Sequence, residues 1–102
     1  MGWQVIIAPS AQSDLGDIVR YIAHHNPDAA ARLGFELITR AESVASFPEI
    51  GRVVPEFRRP NLREIICRSY RIIYRMQRED QRIQIVRFWH GARGFPRIPS
   101  KL

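Results

Sequence analysis

Lysine is nearly missing from this chain: Lys101 stands alone against fifteen arginines. Cysteine is as scarce. With Cys67 alone, neither an intrachain disulfide nor a thiolate zinc cluster can form. No apolar run approaches the ~20 residues of a membrane span. Met1-Gly2-Trp3-Gln4 has neither a basic start nor a long apolar stretch, so no signal peptide is expected and a reducing cytoplasm is the expected home. The glycines are scattered and no lysine follows one at phosphate-loop spacing. Histidine is limited to His24, His25 and His90, and the adjacent pair points to different sides of a helix. No metal site and no cofactor is therefore expected. Nucleophilic triads and paired catalytic carboxylates have no support either. Asp14/Asp17 and Glu36/Glu42 read as ordinary helix surface, and Cys67 as a core thiol.

What the chain does have is a folded domain's share of apolar residues, 45%, in 102 residues. That is one domain spanning 1–102, with roughly 65% of its unfolded surface to bury. The charge is lopsided. Residues 1–50 carry a net −3 and residues 51–102 a net +9. A high-GC genome would be enough to favour arginine over lysine, but would not concentrate arginine in one half. A surface of this kind suits a polyanion or an acidic protein partner.

Trp3 to Ala8 reads as a strand, rich in aromatic and β-branched residues. Ser10 is placed to cap a helix beginning at Ala11, whose apolar stripe is Leu15, Ile18, Val19 and Ile22. That helix should stop near His24-His25, a solvated helix end. Asn26 then caps a second helix with Pro27 in its first position. Gly16 and Gly34 sit level in the expected hairpin and are read as a pair that lets the two backbones approach. Residues 48–61 read as an irregular basic loop. Strands follow at 62–68, 70–76 and 82–89, with a polar turn at 78–80. Val86-Arg87-Phe88-Trp89 breaks the alternation, which implies a bulge or a strand buried on both faces. Residues 94–102 form a short irregular tail. The order β-α-α-β-β-β gives an α+β fold, a small, mainly antiparallel sheet with a helical hairpin on one face.

Strand alternation puts Tyr70, Ile72, Tyr74 and Met76 on one side and Arg71, Ile73 and Arg75 on the other. The second side, with its basic loop, is expected to be a cationic concave surface. Arg52, Arg58, Arg59, Arg63, Arg68 and Arg75 are the candidates for binding nucleic acid or an acidic partner, because the guanidinium fork suits phosphate. Arg71 is expected roughly opposite residue 87, so that Arg71, His90 and Arg93 could converge. A histidine to move protons and arginines to hold phosphate are a minimal kit for metal-free RNA cleavage. A plain nucleic-acid-binding protein is a third reading. It lacks interleaved aromatics, since Tyr70 and Tyr74 fall on the core side.

Pro9-Ser10-Ala11, Asp14-Leu15, Ile18, Tyr21-Ile22, Phe47-Pro48-Glu49-Ile50-Gly51-Arg52, Ser69-Tyr70-Arg71-Ile72-Ile73-Tyr74 and Val86-Arg87-Phe88-Trp89-His90-Gly91-Ala92-Arg93 occur in this order. The whole chain thereby resembles the RelE/ParE superfamily of toxins from type II toxin–antitoxin modules. The resemblance implies the same small α+β fold. It also implies a cognate antitoxin bound in a hetero-oligomer, and one of two targets. RelE-like members cleave messenger RNA in the ribosomal A site; ParE-like members poison DNA gyrase. Arg71 and Arg93 match arginines functional in the RelE-like nucleases, and His90 could mimic a histidine used by other RNase branches. The lysines and C-terminal tyrosine of RelE-like enzymes have no counterpart here, although Arg58, Arg59 or Arg63 could replace the lysines as phosphate holders. The Phe-Pro-Glu-Ile-Gly-Arg and His-Gly-Ala-Arg pieces look like the ParE branch. A ParE-like gyrase poison is therefore the leading expectation, with the endoribonuclease as the alternative. The antitoxin is expected on the arginine-rich half or against the exposed side of Phe35 and Ile38.

Overall fold

A computed structural model describes residues 2–100; Met1, Lys101 and Leu102, the last two ending the expected tail, lie outside the described residues. The elements run β1 (Gln4–Ile7), α1 (Pro9–Ala23), α2 (Pro27–Ser43), β2 (Arg52–Val53), β3 (Leu62–Cys67), β4 (Tyr70–Gln77), β5 (Arg82–His90) and a 3-10 turn at Gly91–Arg93. The strands form one sheet in the order β1-β5-β4-β3-β2. β1 runs parallel to β5 and every other pairing is antiparallel. The expected α+β architecture is what forms. The addition is β2, a two-residue edge strand inside the segment read as irregular. No helix among the described residues is long and apolar enough to cross a membrane.

The helical hairpin covers one face. Leu37, Ala41 and Val44 meet Ile72, Tyr74, Met76, Ile83, Ile85 and Phe88 in the main core. Asn26 caps α2 as expected, its side chain accepting the Ala29 amide at 3.0 Å. The expected glycine pair does not form. A Cβ on Gly34 would touch Val19 of α1 at 3.1 Å, whereas one on Gly16 would meet only the Arg20 side chain. Gly34 alone serves the close approach.

β5 explains the broken alternation. Ile73 pairs with Arg87 and Tyr74 with Ile85, so Val86 is an extra residue, a bulge. The bulge moves the helix-facing series from Ile83 and Ile85 to Phe88. It also shifts the register by one, and a turn centred between residues 79 and 80 adds another, so Arg71 stands opposite Trp89, not residue 87.

β1 covers β5 only from Arg82 to Ile85. Beyond that point α1 takes the place of a neighbouring strand. Ser10 Oγ donates to the Val86 carbonyl at 2.7 Å, and the Asp14 carboxylate accepts the Phe88 amide at 3.0 Å. This corrects two expectations. Ser10 is not the cap of α1; the helix begins at Pro9 after Ala8, with no side-chain cap. Asp14 is not surface but buried, 7% exposed.

The face away from the helices has a small core of its own. Val54, Leu62, Ile73, Val86 and Trp89 are buried there, flanked by Phe57 from the loop and Ile98 from the tail. Gly94, at φ +84°, turns the tail across this face. Arg87 and Arg75 then hold it by the Arg97 and Pro99 carbonyls at 2.9 and 2.6 Å. An open cationic bowl was expected here, but the upper half of the face is closed.

Candidate functional site

β4 and β5 supply the three residues expected to converge. Tyr70 is registered against His90, and Arg71 against Trp89. Directly paired residues share a side and successive residues alternate. His90 therefore faces the helices with Tyr70, and Arg71 faces away. The sheet separates them.

Arg71 is committed. Its Nη1 and Nη2 donate to Glu56 at 2.9 and 2.6 Å, and its Nε donates to Glu64 at 2.6 Å. Only 11% of its side chain is exposed. The bonds from Glu56, then those from Glu64, push its pKa up against the opposing effect of burial. Arg71 in turn holds the Glu56 carboxyl below the usual carboxylate range. Glu64 is wholly buried and spends its second oxygen on Arg52 Nε at 2.6 Å. Three of its five N–H donors and its whole charge are thus spent on two carboxylates, which would repel a phosphate brought to the remaining two.

His90 ends β5 and caps the turn behind it. Its Nδ1 accepts the Ala92 amide at 3.0 Å. The basic lone pair is thus in use, and the ring's proton belongs on Nε2. The ring meets Tyr70 edge-on at 5.2 Å. Burial raises the Tyr70 pKa, so its oxygen stays a hydroxyl. Arg93 lies over the Trp89 ring at 3.8 Å and Arg87 over the same ring at 4.7 Å. Trp89 Nε1 donates to the Gly94 carbonyl at 3.1 Å, which fixes the ring as a platform.

His90, Arg93 and Tyr70 do share a cavity of about 460 Å³ with Asp14, Asp17, Ile18, Tyr21 and Phe88. Two of the three expected residues are therefore brought together, and Arg71 is not.

The other candidate arginines divide by what they touch. Arg52 pairs with Glu64, and Arg68 with Glu36 at 2.7 Å. That bond holds the Glu36 carboxyl below its usual range. Arg63 donates to the Pro60 and Gly51 carbonyls at 2.9 and 3.1 Å, tying the loop to β3. Arg75 reaches Pro99, and burial followed by the nearby Arg59 lowers its pKa. Arg58 and Arg59 are exposed. Cys67 is buried, and burial, followed by the Glu36 charge, raises its pKa, so it is a thiol and not a nucleophile. No group of three or more metal-ligating side chains occurs among the described residues.

Sequence reasoning missed Asp14, Arg87, Glu56 and Glu64. Arg87 forks onto Asp14 with both contacts at 2.7 Å. A signal existed for Glu64: it shares a parity with Leu62 on the buried side of β3. A carboxylate there requires a partner.

The description "ParE toxin of type II toxin-antitoxin system, parDE" fits residues 5–95. The chain belongs to the ParE toxin family. It is a type II toxin of the RelE/ParE superfamily. Toxin RelE2 of Caulobacter vibrioides is 37% identical over 90 residues, covering 88% of this toxin and 97% of that one. Toxin RelE1 of the same organism is 30% identical over 95 residues, covering 89% and 96%. Among solved structures, a chain of a chromosomal ParDE system from P. aeruginosa superposes with a TM-score of 0.71 at 18% identity, covering 86% of this toxin and 95% of that chain. A chain of the toxin–antitoxin complex RelBE2 from Mycobacterium tuberculosis gives 0.62 at 19%, covering 88% and 99%. The ParE toxin fold thus agrees with the order of elements found here.

Proposed function

We propose that the chain arrests growth by binding DNA gyrase, without cleaving RNA, and that a cognate antitoxin neutralises it in the cytoplasm. The observation that carries this reading is the state of the nuclease candidates. Arg71 is locked by Glu56 and Glu64 on one face, while His90, on the other, already uses its basic nitrogen on the Ala92 amide. A general base must be within reach of the proton it takes and hold a free lone pair. The antitoxin has surfaces of two kinds. Tyr21 and Phe35 stand 74% and 75% exposed on the helical hairpin, and the arginine-rich half attracts an acidic chain.

The second reading is a RelE-like ribosome-dependent messenger RNA endoribonuclease using Arg71, His90 and Arg93. The cavity shared by Tyr70, His90 and Arg93 favours it. Controlled induction in a bacterial host separates the two. The gyrase reading expects an SOS response, altered plasmid supercoiling and intact translated messages. It also expects His90→Ala to arrest growth within about twofold of the parent. Removing a general acid or base costs ~10²–10⁴-fold. Rapid codon-specific cuts in translated messages, abolished by His90→Ala, would overturn the gyrase reading.

A further inference from the structure

The lower half of the sheet's far face lies outside the loop and tail core, and the tail touches it at Arg75, whose Nη2 donates to the Pro99 carbonyl at 2.6 Å. Arg75 pairs across β4–β5 with Gln84, and Gln77 pairs with Arg82. On the other side of β5, Gln4 pairs with Arg82 and Ile6 with Gln84. These six residues share one face. Arg59 borders it, lining a cavity of about 250 Å³ with Arg75, Asn61 and Leu62. None of Arg59, Arg75 and Arg82 is ion-paired among the described residues. Arg82 Nε and Gln77 Oε1 are buried without a hydrogen-bond partner. Elsewhere in the same half, Arg52, Arg68, Arg71, Arg78 and Arg87 all have carboxylates.

We infer that this arginine–glutamine platform is a binding surface for the phosphate backbone of duplex DNA. Strand spacing of ~4.8 Å and rise of ~3.3 Å per residue put Arg75 and Arg82 Cα atoms ~8 Å apart. That separation is within the reach of two flexible side chains to neighbouring phosphates. Arginine and glutamine donate to phosphate oxygens, and among the described residues no carboxylate pairs with the platform's arginines to oppose them. An acidic protein would need apolar contacts to hold it, and the platform offers only Ile6. The large exposed apolar side chains lie elsewhere: Tyr21 and Phe35 on the helices, Phe47 and Ile50 before β2, Ile66 on β3 and Phe95 in the tail. No aromatic side chain stands on the platform to stack unpaired bases, which favours a duplex over single-stranded RNA.

The inference does not rest on the gyrase reading, because binding is measured with the purified chain alone. The probe is a fluorescent duplex DNA of roughly 20 base pairs, titrated between about 50 and 200 mM salt. The triple variant Arg59→Gln/Arg75→Gln/Arg82→Gln is compared with Arg20→Gln/Arg32→Gln/Arg40→Gln, which removes equal charge from the helices. The platform triple should weaken binding at least ~10-fold and flatten the log–log salt slope by ~2–3, near 0.9 per lost phosphate contact. The helical triple should change both little. If the platform triple fails to fold, the exposed Arg59→Gln alone should still flatten the slope by ~0.9. Equal losses from both triples would overturn the inference, because the effect would then be net charge. So would no binding to duplex DNA, tighter binding to single-stranded RNA, or an unchanged slope in Arg59→Gln.

Discussion

Replacing Asp14 by alanine should unfold more of this protein than its helical position implies. Asp14 takes two bonds of 2.7 Å from Arg87 and one of 3.0 Å from the Phe88 amide. Its side chain is 8% exposed and that of Arg87 is 16% exposed. Breaking such a pair leaves a guanidinium largely out of water, which costs ~3–5 kcal/mol when the partner is removed. Arg87 keeps one bond to the Arg97 carbonyl, which favours the lower end, about 3 kcal/mol. For a domain of this size each kcal/mol lowers Tm by ~4–8 °C, so the loss is roughly 12–24 °C. Asp17→Ala is the control. Its bond to Arg20 is as short, 2.6 Å, but both side chains are more than 70% exposed, and its loss should stay below ~0.5 kcal/mol. Urea unfolding of both variants and of Asp14→Ala in an Arg87→Met background reads the energies. In that background the loss should shrink below ~1–3 kcal/mol, the cost of the unpaired Phe88 amide, because Arg87→Met already leaves the Asp14 carboxylate buried without its partner and Asp14→Ala removes it. If Asp14→Ala costs less than ~1 kcal/mol, or no more than Asp17→Ala, α1 does not act as the missing neighbour of β5 and the reasoning fails.

Two glycines should respond in opposite directions. A Cβ at Gly51 would lie 2.6 Å from the Glu64 carbonyl oxygen and 2.6 Å from the Tyr74 hydroxyl, which itself donates to Pro48 and accepts from Gly51. Gly51→Ala should therefore cost several kcal/mol in urea unfolding, whereas Gly16→Ala should gain up to ~1 kcal/mol because only the flexible Arg20 end must move. Stability should also fall in acid. Glu56 and Glu36 have carboxyls lowered from the ordinary 4.5 by Arg71 and Arg68 respectively, so their contribution is full above about 4.5 and is lost as pH falls through the lower folded values. Urea midpoints should be flat from neutrality to about pH 5 and drop below it, and Glu56→Gln should make the drop shallower. A midpoint independent of pH down to 3 in the parent would contradict these pairings.

The period-based features were legible because each depends on neighbours in sequence. The stripe of α1, the Asn26 cap, the three long strands and the broken parity at Val86 all follow from local spacing. Three kinds of feature did not. Asp14 shows helix-surface spacing, yet it is buried because β1 is too short to cover β5, a fact of strand length in space. Residues 52–53 carry no strand pattern of their own and become β2 by pairing with Arg63 and Glu64. The proposed convergence of Arg71 with His90 failed on parity: residues one apart on β4 face opposite sides, and the turn and the bulge each moved the register by one.

The arginine excess is therefore not one property. Among the described residues five arginines of the basic half bind carboxylates, and three of them, Arg52, Arg71 and Arg87, meet the buried Glu64 or Asp14. These residues hold strands, loop and helix together. Lysine could not replace Arg71 or Arg87, since each uses a planar fork on two or more oxygens at once. Others brace backbone carbonyls: Arg63 holds the loop, and Arg75 holds the tail. A carbonyl does not neutralise charge, so among the described residues the arginines without a carboxylate, Arg75 included, keep charge to offer a polyanion. Net charge overstates the binding surface, because a paired arginine contributes little field beyond its partner. The scarcity of lysine follows the same logic at the paired positions: where one side chain must satisfy several oxygens, a point charge on a flexible stem would leave buried acceptors unpaired.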